Sequence, residues 1–145
     1  MQNPKCNMIL NSKSEILNPK QNHKSQITNS KKYDLEERCL KFAQTVRDYV
    51  KKLPRTISNI EYGKQLIRSS GSIGANYIEA NESLGRKDFK MRIKISKKEA
   101  KESRYWLILT ESLKENQKEK EDLIEEATEL MKIFGSIAEG NKNRV

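Results

Sequence analysis

The sequence predicts an all-α protein: an antiparallel up-down four-helix bundle behind a disordered N-terminal tail. Three observations carry that prediction. Apolar residues recur in alternating steps of four and three through four successive stretches, the spacing that lines one face of an α-helix. Only short polar breaks separate these stretches, and short connections make sequential helices antiparallel neighbours. Three prolines and six glycines among 145 residues are too few for the turns of an all-β chain.

Residues 1–33 are rich in Asn, Ser, Lys and Gln, and their few apolar side chains keep no sustained period. Such a segment cannot bury enough apolar area to offset its ordering entropy, so it reads as a disordered basic tail. The first helix is expected over about 35–53. Leu35, Cys39, Phe42, Val46, Tyr49 and Leu53 form its stripe, Asp34 is a candidate N-cap, and Pro54 stops it. The stripe puts Cys39 inside, as a structural thiol. The second helix is expected over about 59–84, with Leu66, Ser70, Ile73, Tyr77, Ala80 and Leu84 on its stripe and Gly85 as its C′ residue.

The third helix is expected over about 86–114. Phe89, Ile93, Ser96, Ala100, Ser103 and Leu107 make one stripe, and Ile95, Trp106, Leu109 and Leu113 an adjoining one. Two stripes imply burial against more than one neighbour. The fourth helix is expected over about 118–138, carried by Leu123, Ala127, Leu130, Phe134 and Ile137, and residues 141–145 are expected to fray.

The run Arg68-Ser69-Ser70-Gly71-Ser72-Ile73-Gly74-Ala75-Asn76 is unusual for a helix interior. Each interior glycine costs about 1 kcal/mol against alanine. A tight helix–helix approach at Gly74 or Ala75 would account for the small residues. Asn76 either bridges to a neighbouring helix or faces solvent.

Composition narrows the function. Net charge is +9, which admits nucleic acid as a partner. The excess lies in residues 1–114, and the last 31 residues are acidic overall. No apolar run is long enough for a membrane helix, the N-terminus does not read as a secretory signal, and Cys6 and Cys39 do not suggest a disulfide framework, so a cytoplasmic protein is expected. The only histidine, His23, lies in the tail. The Glu-x-x-His pairs of a di-iron bundle and a Ser/His/Asp or Cys/His arrangement are therefore missing. Glu79, Glu82 and Asp88 read as a solvated or ion-paired face, not a metal site. No cofactor is expected, and the chain reads as a non-enzyme.

Lys87, Lys90, Lys94, Lys97, Lys101 and Arg104 step 3, 4, 3, 4, 3, which places six cations on one face of the third helix. Such a row binds phosphates without reading sequence. The competing reading is an ordinary solvated face whose lysines pair locally with Glu99 and Glu102. No aromatic residue interleaves these six positions, so base stacking is not indicated.

Arg68, Ser72, Ile73, Ala75, Asn76 and Glu79, followed by Arg86, Asp88 and Phe89, resemble the pattern of the 23S rRNA intervening-sequence proteins. These are small bacterial four-helix bundles. The segment Ile95–Glu102 with Trp106-Leu107 is similar to that family's third helix, and the resemblance covers about residues 35–140. Tyr77 stands where the family has Ile, and Ala80 where it has Gly after the Glu. The resemblance implies a homopentamer of side-by-side bundles. A related branch, the accessory variability protein of diversity-generating retroelements, implies nucleic acid as a partner, and a reverse transcriptase only where one is encoded alongside. The alternative is an adaptor acting through protein–protein contacts alone.

Overall fold

A computed structural model describes residues 22–140, with side chains from residue 35 onward. Its elements are α1 (Asn22–Lys51), α2 (Ile57–Asn81), α3 (Arg86–Leu109), a 3₁₀ turn (Lys114–Asn116) and α4 (Gln117–Gly140). Helical backbone begins at Asn22, so Asp34 lies inside a helix and not at its N-cap. The packed unit starts at Leu35. The tail expected over 1–33 lies outside the described residues over 1–21 and is helical backbone over 22–33, and the fraying expected for 141–145 also lies outside them.

Pairs along each seam run in opposite directions. Gly63 meets Val50 and Gly74 meets Cys39 between α1 and α2. Ser103 reaches Ser69 and Ser96 reaches Ile73 between α2 and α3. Arg104 reaches Thr128 and Lys97 lies over Gly135 between α3 and α4. Arg38 pairs with Glu126 and Lys52 with Glu119 between α1 and α4. Each partner number falls as the other rises, so the neighbouring helices are antiparallel and close a four-membered ring.

The expected stripes form the core. Phe42, Val46, Tyr49, Leu66, Ile73, Ile93, Leu107, Leu130 and Phe134 are almost wholly buried. Each such large apolar side chain contributes about 1.5–3 kcal/mol. Tyr77 and Phe134 meet edge to face across the interior, with centroids 5.5 Å apart. Ser69, Ser70, Ser96 and Ser103 are buried with the apolar residues. Ser96 Oγ donates to the Ile73 carbonyl at 3.0 Å, and Ser103 Oγ lies 2.9 Å from Ser69 Oγ. The hydroxyls of Ser69, Ser96 and Ser103 are thus satisfied across the seam, and that of Ser70 by the Ile67 carbonyl of its own helix, instead of costing desolvation.

Several helix ends differ from the expected ones. The second helix begins at Ile57 because Thr56 is the N-cap, its hydroxyl accepting from Asn59 N–H. It stops at Asn81, with Glu82 as C-cap and Ser83 Oγ bonded to the Ala80 carbonyl. Leu84 is therefore fully exposed instead of on the stripe. Gly85 is not a C′ residue; it stands as the extended N-cap of α3.

The third helix ends at Leu109, not near 114, because Thr110 is held extended (φ −65°, ψ 143°). Its hydroxyl donates to the Leu107 carbonyl at 2.7 Å and so accepts from Tyr49 OH at 2.8 Å. Leu113 consequently lies in the connection and is exposed. Buried Asn59 fastens this end. Its amide donates to the Pro54 and Glu111 carbonyls, and its carbonyl accepts from Glu111 N–H at 2.9 Å.

Candidate nucleic-acid interface

α3 carries the cationic row. Its buried stripe of Ile93, Ser96, Ala100, Ser103 and Leu107 fixes the helix against α2 and α4. That phase turns the lysines outward: Lys87, Lys94, Lys97, Lys101 and Arg104 are exposed, and Lys90 is half-buried. Toward α4 the row leans on its neighbour. The Lys97 stem packs over Gly135, 3.5 Å from where a Cβ would sit, and Arg104 Nε donates to Thr128 Oγ1 at 3.1 Å. Lys98 joins Lys87, Lys90 and Lys94 around a shallow groove floored by Met91 and Ile95.

Among the described residues, no carboxylate comes within 4.0 Å of a Lys87, Lys90, Lys94, Lys97, Lys98 or Lys101 ammonium. Local pairing with Glu99 and Glu102 is not what the side chains do. Glu102 accepts from the Trp106 indole N–H at 3.3 Å. Glu99 has its carboxyl pKa raised, first by burial and then by the Glu102 charge, against the opposing charges of Lys98 and Arg68.

The α2 motif lies on the other flank of α3. Asn76 bridges helices: its amide donates to the Ser72 carbonyl at 2.8 Å, and its oxygen faces Arg92 at 3.4 Å. Arg92 also lies 4.0 Å from Glu79. Ser72 Oγ returns to the Arg68 carbonyl. Ile73 is buried and Phe89 packs against the core, whereas Arg68, Ala75 and Arg86 are exposed. At Gly74 a Cβ would sit 3.2 Å from Cys39 Cβ, so the close approach is there and not at Ala75. The motif is thus largely a seam between helices, separate from the lysine row.

Three features were not read from the sequence. Tyr62, Tyr105 and Trp106 form a surface aromatic cluster. The signal for Tyr105 was its place four residues beyond Lys101 and seven beyond Lys98. Arg38 and Glu126 make a two-pronged ion pair at 2.6 and 2.9 Å beside an open groove floored by Phe42 and Leu123. Asn59 joins two loops, and no local spacing marks it. Among the described residues no group of three or more His, Cys, Asp or Glu could hold a metal, and no helix is long and apolar enough to cross a membrane.

An all-helical bundle with a cationic row on its third helix is the class of protein these features define. The chain belongs to the 23S rRNA-intervening sequence protein family, whose sequence model matches residues 31–136. It is similar to a crystal structure from Bacteroides thetaiotaomicron described as a protein of unknown function from the S23 ribosomal protein family. Identity is 31%, with 75% of this chain and 98% of that chain covered and a TM-score of 0.63. No curated protein matches.

Proposed function

We propose that this protein is a non-enzymatic, cytoplasmic RNA-binding homo-oligomer, which holds RNA or another nucleic acid through the outward row of α3. The observation that carries this reading is the set Lys87, Lys90, Lys94, Lys97 and Lys101, none of them ion-paired among the described residues. Cations without protein partners keep their full charge for phosphates, and releasing the nucleic acid's condensed counterions drives the binding. Nothing in the row selects a base, so affinity should be nearly independent of sequence.

Assembly is supported by apolar side chains exposed away from the lysine row. Leu40 is exposed on α1 and Ile60, Ile67 and Ile78 on one face of α2, whereas the exposed Met91 and Ile108 of α3 share the lysines' side of that helix. Such a face suits self-association, of five copies on the family pattern. A ring would repeat the lysine row into a positive belt. The same face favours the second reading, an adaptor that uses it for a protein partner without nucleic acid; a reverse transcriptase is such a partner only where its gene lies alongside.

A salt titration with ribosomal RNA fragments tests the main reading. Affinity should fall steeply as salt rises, by about 10³-fold or more between 50 and 200 mM for six or more phosphate contacts. The triple variant Lys94→Glu, Lys97→Glu, Lys101→Glu should lose binding with helix content intact. A flat salt response removes the electrostatic account. Sedimentation at about five chain masses is expected, and a monomer at micromolar concentration removes the ring.

A further inference from the structure

We propose that Tyr105, braced by Trp106, is a stacking platform for a base of single-stranded nucleic acid whose phosphates lie along the α3 lysines. The inference rests on the nucleic-acid reading above and adds the kind of strand bound. Tyr105 follows Lys94, Lys98 and Lys101 by eleven, seven and four residues, so it continues their face of the helix. It is 56% exposed. Its ring meets Trp106 edge to face, with centroids 5.0 Å apart at 69°. Trp106 is itself held, by stacking on Tyr62 at 6.0 Å and by its indole N–H on Glu102.

The contact with Trp106 restricts the ring on one side before a base arrives, which lowers the ordering cost of stacking. The surroundings select the ligand. A protein seated on Tyr105 would cover the neighbouring lysines, a residue type depleted from interface cores. A nucleic-acid strand would neutralise them. A duplex keeps its base faces stacked internally, whereas a single strand offers them to aromatic side chains. The aromatic residue missing from the six-cation row is therefore supplied one turn beyond Lys101.

The single tryptophan of the chain, Trp106, is the reporter. The full-length protein would be titrated with a 12-nucleotide oligouridylate and with a 12-base-pair RNA duplex at one salt concentration. The oligouridylate should change Trp106 fluorescence. Tyr105→Ala should weaken oligouridylate binding about 5- to 100-fold and leave duplex binding unchanged, and Tyr105→Phe should restore it. Equal weakening of both RNAs, or no weakening, overturns the platform. So does a Tyr105→Ala protein whose sedimentation changes while RNA binding does not, since that assigns the ring to a subunit contact. Lys94→Glu with Lys101→Glu reports the parent reading separately, because it should weaken both RNAs. Wild-type protein that binds neither RNA overturns both proposals; oligouridylate binding indifferent to Tyr105 overturns only this one.

Discussion

Gly74 and Gly71 lie one turn apart in the small-residue run of α2. A Cβ at Gly74 would come within 3.2 Å of Cys39 Cβ, while one at Gly71 would meet nothing within 4 Å. The two have the same chemistry and the same helix, and only the phase differs. Gly74 points at α1, where the backbones approach closely. Gly71 shares the outward phase with exposed Ile67 and Ile78. A small residue in a helix is thus explained by what stands opposite it, and here only one of these two faces a helix of its own chain. The other belongs to a surface that the proposed assembly would cover.

The sharpest way to break the comparison is to enlarge both positions. Gly74→Leu should overpack the α1–α2 seam and cost about 1–3 kcal/mol, read as a lower urea midpoint. Unchanged unfolding would show that the seam yields freely. The next effect concerns the residue that Gly74 touches. Burial pushes the Cys39 thiol up to about 12 from 9.0. A raised pKa favours the protonated folded form, so its contribution is fully present below pH 9 and is lost as pH rises toward 12. The loss is about 1 kcal/mol per pH unit once the unfolded thiol ionises. Alkaline unfolding curves of wild type and Cys39→Ala should therefore diverge above pH 9, and parallel curves would contradict the burial.

Gly71→Ala should go the other way and stabilise the chain by about 0.5–1 kcal/mol, provided nothing of its own chain faces it. A destabilised Gly71→Ala would mean that a contact exists after all. The smallest effect is expected where α1 meets α4 through charge instead of through small side chains. Arg38 and Glu126 are partly exposed, so Glu126→Gln should cost about 0.5 kcal/mol and less in high salt. A salt-independent loss would point to packing, not charge.

The four stripes were legible because heptad spacing depends only on the helical repeat. Cys39, Tyr49, Ile73, Ile93 and Phe134 all went inside. The lysine row was legible for the same reason. The ends were not. Thr110 leaves the helix because Tyr49, on another helix, supplies its hydrogen bond, and Asn59 is inside because Glu111, far along the chain, needs it. The α2 motif was legible as a feature, but its division into a packed Gly74, a bridging Asn76 and an exposed Ala75 was not, since that depends on where α1 and α3 stand. Tyr105 was visible as a letter four residues past Lys101, yet its footing on Trp106 and Tyr62 draws on two helices.

By itself the sequence determined that the chain is helical, which face of each helix turns inward, and that α3 turns cations outward. These follow from a fixed angle per residue and the cost of wetting apolar area, both local quantities. Only the tertiary structure decided where helices stop, which small residues are filled against and which are bare, and that the lysines stand apart from the acids beside them in the chain. Those outcomes depend on distances between side chains remote in sequence, and a helical period carries no information about them.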